Sequence, residues 1–366
     1  MSLTRVCPFY NPTQFQELIS GRRKGFAARF LRGLLRVMEV PYTAAVELRN
    51  RRFDGNQRLV HRLEVPVISV GNVTTGGTGK TPLVAWLANW FAQRGTRVAL
   101  ISRGYGRPAE AGACEEGNDE SRELAQRLPE VPHLQNPDRV AAAELAIQVH
   151  ACDLIVLDDA FQHRRIHRDL DIVLLDALQP FGYGHLLPRG LLREPLHGLA
   201  RAHLIALSRA DTIDDAQRRR IRARVLSVAP QAAWIEMVHR PRRLLNAEAR
   251  SLPVATLAGQ RVAAFAGIGN PRGFRHSLEQ LGCEVVAHRD FPDHFPYDGQ
   301  DVADLHRWVS DLAPLDAVIC TCKDLVKLDK VELGGCPLWA LGIDVEVVHG
   351  LDVLERLLEP FHPPGR

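Results

Sequence analysis

From residue 65 onward the chain alternates short, β-rich apolar runs with longer stretches of helical spacing, the texture of parallel α/β architecture. Strands are expected over Val65–Val70, Val98–Ser102, Leu154–Leu157, Ile172–Leu175 and His203–Leu207, with helices beginning at Lys80, Glu120, Asp138 and Asp214. A second unit restarts at Arg261–Ala266. A Gly-Ile-Gly-Asn-Pro turn, a helix to Leu281, a strand Glu284–His288, a helix Asp301–Leu312 and a strand Ala317–Thr321 follow it. Ala233–Val238 and Leu338–Val348 are expected to pair as the connection, and Leu351–Leu358 to return as a C-terminal helix.

Upstream of residue 65 the pattern is different. Over Phe26–Met38, at about 100° per residue, Phe26, Phe30, Leu31, Leu34, Leu35, Val37 and Met38 cover one half of the wheel, and Arg29, Arg32 and Arg36 cluster opposite. A helix lying in a membrane interface has this pattern, apolar face down and arginines near lipid phosphates. So does a surface helix packed on its own domain.

Charge sharpens this reading. The chain carries +3 overall, yet residues 1–62 hold twelve Lys/Arg against four Asp/Glu, leaving the rest at −5. A basic body would indicate nucleic acid, whereas a basic segment on a mildly acidic body indicates a local anionic surface, so no nucleic-acid partner is expected. The longest apolar runs, such as Leu83–Trp90, fall far short of the roughly 20 residues of a spanning helix. The N-terminus lacks a long apolar run followed by a small-residue cleavage site, so a cytoplasmic location is expected. Seven cysteines, scattered from Cys7 to Cys336, fit free thiols in a reducing compartment, and Cys320-x-Cys322 reads as buried thiols rather than metal ligands.

The strongest chemical signal is Thr74-Thr75-Gly76-Gly77-Thr78-Gly79-Lys80-Thr81, directly after an expected strand and before an apolar helical stretch. Glycines let backbone N–H groups turn inward around phosphate oxygens, and the following helix N-terminus adds positive dipole. Lys80 would reach the β and γ oxygens and Thr81 could ligate Mg²⁺. The second signal is Leu154-Ile155-Val156-Leu157-Asp158-Asp159, an apolar strand ending in two carboxylates that can hold Mg²⁺ directly or through water. Polar and basic groups are dense over Gln162–Asp169 and Leu186–Pro195, as in a site that holds several phosphates. The expected fold is therefore α/β: a P-loop NTPase-like parallel sheet domain (an α/β/α sandwich) with a second, smaller α/β/α domain joined by a short two-stranded linker. Its divisions are 1–62, a basic amphipathic membrane-interface segment; 63–230, the P-loop kinase core, with a helix at 350–361 packing back on it; and 231–348, the linker strands and smaller domain.

Over nearly its whole length the chain resembles the tetraacyldisaccharide 4'-kinase family. The resemblance rests on Val70–Thr81, Ser102–Gly106, Asp158–His163, Arg168-Asp169, Leu186–Pro188, Leu192–Pro195 and Phe291-Pro292-Asp293-His294. It departs from the family pattern at Asn118, Ala160, Arg189 and Leu191. The resemblance implies phosphorylation of the lipid A precursor with ATP and Mg²⁺, on a glycolipid acceptor at the cytoplasmic face of the bacterial inner membrane, by a peripheral and monomeric enzyme. It implies Asp119 as general base paired with His294, and Thr75–Thr81 on nucleotide, Lys80 among them. Thr81, Asp158, Asp159 and Glu194 would lie near Mg²⁺, and Gln162, His163 and Arg193 would line the substrate site. The competing reading is a P-loop switch or partitioning-type ATPase acting on a protein partner; Thr75 stands where such ATPases carry a signature lysine.

Overall fold

The computed structural model describes residues 12–104, 119–248, 250–269, 271–292 and 295–362. The chain forms two compact units. One comprises the residues up to Thr78 with Asp159–Glu236 and His349–Leu357; the other comprises Gly79–Asp158, Met237–Val348 and the residues from Leu358 onward.

In the first unit, Val67–Asn72, Leu170–Asp176, Leu204–Ser208 and the start of Ala233–Leu245 lie side by side, all parallel. Ile68 faces Leu170, Leu174 faces Ala206 and Ala206 faces Ile235. Every residue of Val67–Asn72 is buried. Strands covered on both faces read as unbroken apolar runs, which is why they were visible in sequence. Helix Asp215–Leu226 starts where Asp214 and Gln217 form a reciprocal capping box.

This unit also carries helix Phe26–Gly55, which runs through Pro41 and far beyond the stretch expected from periodicity. Downstream of Met38 its sequence is charged with little apolar spacing, and only single positions such as Val46 and Asn50 turn inward. Phe26, Phe30, Leu31, Leu34, Val37 and Met38 are all exposed. On the basic side, Arg32 donates to the carbonyl oxygens of Arg23 (2.8 Å) and Leu18 (3.4 Å), and Arg36 meets His185 Nδ1 at 3.1 Å. The arginine side therefore grips the protein while the apolar side faces out.

In the second unit, Val98–Ser102 lies between Leu154–Asp158 and His133–Gln135, again parallel. Helices Lys80–Ala92 and Arg139–His150 pack on these strands, the latter capped by Asp138, whose carboxylate accepts from Val140 N. A further parallel ladder joins Glu284–Asp290, Arg261–Ala266, Ala317–Thr321 and Cys336–His349. One face of this ladder buries Phe265, Leu305, Val309 and Leu325; the other buries Leu257, Phe274, Leu278 and Ile319. Residues from Met237 to Leu245 neighbour Cys336–His349, and Arg240 and Arg242 pair there with Glu346. The short elements that were not expected include strands His133–Gln135, Ser251–Pro253 and Glu332–Leu333 and helices Pro12–Ile19 and Cys322–Leu328. Helix Gly299–Asp311 starts two residues early because Asp298 caps it. The described cysteines, Cys320 and Cys322 included, are free and buried, and among the described residues no helix is long and apolar enough to cross a membrane.

Candidate active site

The segment after Val67–Asn72 is held by a second loop of its own unit. Thr75 N donates to Leu191 O at 2.8 Å, Arg193 N donates to Val73 O at 2.8 Å, and Thr74 bridges Leu192. Within that second loop the chain folds tightly on itself, with Gly190 N donating to Leu186 O and Leu191 N to Gly182 O. Only glycine fits at 190, because a Cβ there would lie 2.2 Å from His185 O and 2.4 Å from Gly182 O. Gly71, at the strand end, is constrained in the same way by Phe161, 2.6 Å from where its Cβ would be. Inside the phosphate loop, Asn72 Nδ2 donates to the buried Thr78 hydroxyl (3.1 Å), and Arg209, itself paired with Asp176, donates to Gly77 O (3.0 Å). Gly76 and Gly79 take φ of 117° and 82°, the left-handed region that glycine enters without a Cβ clash. Gly79 caps helix Lys80–Ala92, so Lys80 and Thr81 stand in its first turn, where the N–H groups are unpaired by the helix itself. Lys80 is half-buried and Thr81 buried. These bonds tie down the loop at Thr75, Gly77 and Thr78.

A second cluster in the first unit follows Asp159. Arg193 Nη1 donates to both Asp159 oxygens, at 2.9 and 3.0 Å. Gln162 Nε2 donates to Asn72 O and to Glu194 Oε1, each at 2.9 Å. Glu194 is completely buried, and its other oxygen accepts from Arg201 Nη2 (2.7 Å) and Asn50 Nδ2 (3.3 Å). The Arg201 guanidinium also lies 4.5 Å over the Phe161 ring. The Tyr42 hydroxyl donates to Arg193 O at 3.1 Å, and burial raises its pKa above the ordinary phenol value. His163 enters through its backbone, its carbonyl accepting from Arg168 Nη1 at 2.9 Å. Arg168 in turn pairs with buried Asp171 at 3.3 Å, where desolvation pushes the carboxyl up and the guanidinium down.

In the second unit Asp158 ends its strand as a buried carboxylate. Helix Asp119–Arg127 begins at the residue implied as base, and its C-terminal part packs on Cys322–Leu328. The side chain of Asp119 and all of His294 lie outside the described residues, as do Tyr105, Gly106 and Asn118 of the quoted motifs. Asp293 also lies outside the described residues, between the described Pro292 and Phe295. Phe291 and Tyr297 each meet Phe265 edge-on, Phe295 packs tilted against Phe291 and edge-on against Tyr297, and the Tyr297 hydroxyl donates to Asp324 at 2.9 Å. Asp324, fully buried, also accepts from Gly267 N (3.1 Å) and the Thr321 hydroxyl (2.6 Å). Among the described residues no three His, Cys, Asp or Glu side chains gather as a self-sufficient metal cluster.

Sequence reasoning missed supports within each unit: Asn50 and Arg201 in the first, Tyr297 and Asp324 in the second. Their signal is pairing across up to 144 residues, as between Asn50 and Glu194, which no local pattern carries. The strand, the glycine-bearing loop and the helix that opens on Lys80 and Thr81 define a nucleotide-binding protein of the phosphate-loop class. A model of the tetraacyldisaccharide-1-P 4'-kinase family matches residues 31–361, and the chain belongs to that family. The tetraacyldisaccharide 4'-kinase of Anaeromyxobacter sp. (strain K) is 41% identical over 339 residues, 89% of each chain. That of Halothermothrix orenii is 34% identical over 367 residues, 93% of this chain and 95% of its own. The crystal structure of the "apo" form LpxK from Aquifex aeolicus in complex with ATP superposes with a TM-score of 0.70 at 31% identity, covering 91% of this chain and 99% of that one.

Proposed function

We propose that the protein is an ATP-dependent lipid kinase that transfers the γ-phosphoryl group to the 4'-hydroxyl of a tetraacyldisaccharide 1-phosphate, the lipid A precursor, forming lipid IVA. The observation that carries this reading is the family match across residues 31–361, with the phosphate loop intact inside it. Thr75–Thr81 cradle the triphosphate with backbone N–H groups, and Lys80 supplies the point charge at the β and γ oxygens. The donors available for Mg²⁺ are hard oxygens, the Thr81 hydroxyl and the Asp158 carboxylate, as that ion requires, while Asp159, whose two oxygens accept from Arg193, would act through water. Mg²⁺, when bound with ATP, neutralises charge on the phosphates. Both oxygens of Glu194 are taken by Gln162, Arg201 and Asn50, so we assign Glu194 to holding that network rather than to the metal. Gln162, His163 and Arg193 then line the substrate site, with Arg193 held by the bonds from its Nη1 to both oxygens of Asp159.

A sugar hydroxyl has a pKa far above 7, so it needs a base at the moment of attack. Asp119 fills that role, kept in the carboxylate form and oriented by His294. The acceptor is a lipid, and the exposed row of Phe26 (81%), Phe30 (65%), Leu34 (50%) and Val37 (68%) supports docking at a membrane surface. In this reading the enzyme is a monomer attached peripherally to the cytoplasmic face of the bacterial inner membrane, with a kinase core at 63–230 and a smaller domain at 231–348.

ADP release by the purified protein, measured with and without the disaccharide in detergent, tests the function. Release should require the lipid and disappear in Lys80→Ala. Equal release without lipid, or stimulation by a protein in its place, would favour a switch-type ATPase.

A further inference from the structure

Helix Asp119–Arg127 is nine residues long, strongly charged and far too short to hold its shape or place on its own. Its position must come from tertiary contacts. Ser121, Glu123 and Leu124 turn inward, and at the C-terminal end Arg127 makes a set of contacts that reaches another part of the second unit. The Arg127 side chain is only 3% exposed. Its Nη2 donates to Ile343 O at 2.7 Å, its Nη1 lies 3.5 Å from Asp344 Oδ1, and its Nε lies 3.2 Å from Glu123 Oε1 one turn back. Ile343 and Asp344 belong to strand Cys336–His349, just past its parallel ladder with Ala317–Thr321, where the strand also neighbours Ala233–Leu245. The Nη2 contact is a directed hydrogen bond, and the carboxylates of Glu123 and Asp344 face two further nitrogens of the same planar group as ion pairs, so together they hold the helix end against the strand. A cation in the last turn is also favoured by the helix dipole.

We infer that Arg127 is a positioning residue for the phosphoryl transfer, locking the helix that begins at Asp119 onto strand Cys336–His349 so that residue 119 is presented in one place. The inference rests on the reading of Asp119 as the base. The lever is short and stiff: eight residues at 1.5 Å each put the helix start about 12 Å from Arg127, so a small tilt at the anchor displaces the start by a fraction of an ångström to an ångström. Displacements of that size cost up to about 100-fold in rate. The phosphate loop is held by other contacts, so nucleotide binding should not follow.

The test is a double-mutant cycle between Arg127→Met and Asp119→Ala, read as transfer of labelled phosphate to tetraacyldisaccharide 1-phosphate. Arg127→Met alone should lower kcat about 10- to 100-fold with the KM for ATP almost unchanged. In the Asp119→Ala background it should add almost nothing, because a residue that acts through the base has nothing left to position. Arg127→Lys keeps charge and bulk but not the fork; it should show the same non-additivity, and it serves if the methionine variant does not fold. Near-normal kcat in either single variant at 127 overturns the inference. So does a loss at 127 that recurs in full without Asp119, which marks a merely structural role. Near-normal turnover by Asp119→Ala alone removes the base, and the inference with it, an outcome distinct from the other two.

Discussion

Glu194→Ala removes the centre of the buried network behind Asp159, and its cost can be worked from the contacts. The carboxylate is fully buried and accepts from Arg201 at 2.7 Å, Gln162 at 2.9 Å and Asn50 at 3.3 Å. Removing one partner of a buried ion pair costs about 3–5 kcal/mol, because the other charge is left behind. The Arg201 side chain is 20% exposed and can recover part of its hydration, which favours the lower end, about 3 kcal/mol. Gln162 keeps its bond to Asn72 O but loses the other, adding about 1 kcal/mol. Asn50, also buried, loses its bond for about 1 kcal/mol more, and the total is about 5 kcal/mol. Glu194→Gln should cost roughly half, since its amide oxygen still accepts one bond, and Glu194→Gln with Arg201→Met should recover part of the loss. Urea unfolding followed by tryptophan fluorescence measures this as a lower midpoint at unchanged slope. A Glu194→Ala midpoint within about 1 kcal/mol of wild type would show that the network does not hold the site.

Three further outcomes are expected. Gly190→Ala forces a Cβ against His185 O and Gly182 O, displaces the loop that holds Thr75, and should raise the KM for ATP about tenfold, a loss of about 1.4 kcal/mol; an unchanged KM would mean the loop does not shape the phosphate cradle. His133, whose ring meets the Ser102 hydroxyl at 3.0 Å, has its pKa pushed down by burial to about 4 from the ordinary 6.5, so it is neutral in the fold. The unfolded chain takes up that proton first, so stability is lost as pH falls through 6.5 towards 4; at pH 5 the loss is about 2 kcal/mol, and His133→Gln should flatten this part of the pH profile. Replacing Phe30, Leu34 and Val37 together by serine should abolish pelleting with anionic vesicles and leave stability intact, because these side chains are exposed. Undiminished pelleting would remove the helix from membrane binding.

What the sequence revealed and what it hid have separate physical causes. The central strands were legible because burial on both faces leaves runs such as Leu154-Ile155-Val156-Leu157 without a polar break. The phosphate loop was legible because its glycines, lysine and threonine do their work within eight adjacent residues. Strand His133–Gln135 and helix Cys322–Leu328 were not, being too short for a hydrophobic period to repeat often enough to stand out. Glu194 shows the deeper limit: its neighbours in sequence mark an acid beside a phosphate site, and only the positions of Asn50, Gln162 and Arg201 reveal the buried network that it joins. Arg127 was equally silent, since Ile343 and Asp344 lie over 200 residues away.

The most direct measurement of the central claim is the destination of the γ-phosphate. With γ-labelled ATP, Mg²⁺ and tetraacyldisaccharide 1-phosphate in detergent, the label should appear as a monoester on the 4'-oxygen of the lipid, one per ADP formed, and vanish with Lys80→Ala. Label recovered only as inorganic phosphate, or on any other oxygen of the disaccharide, would contradict the account.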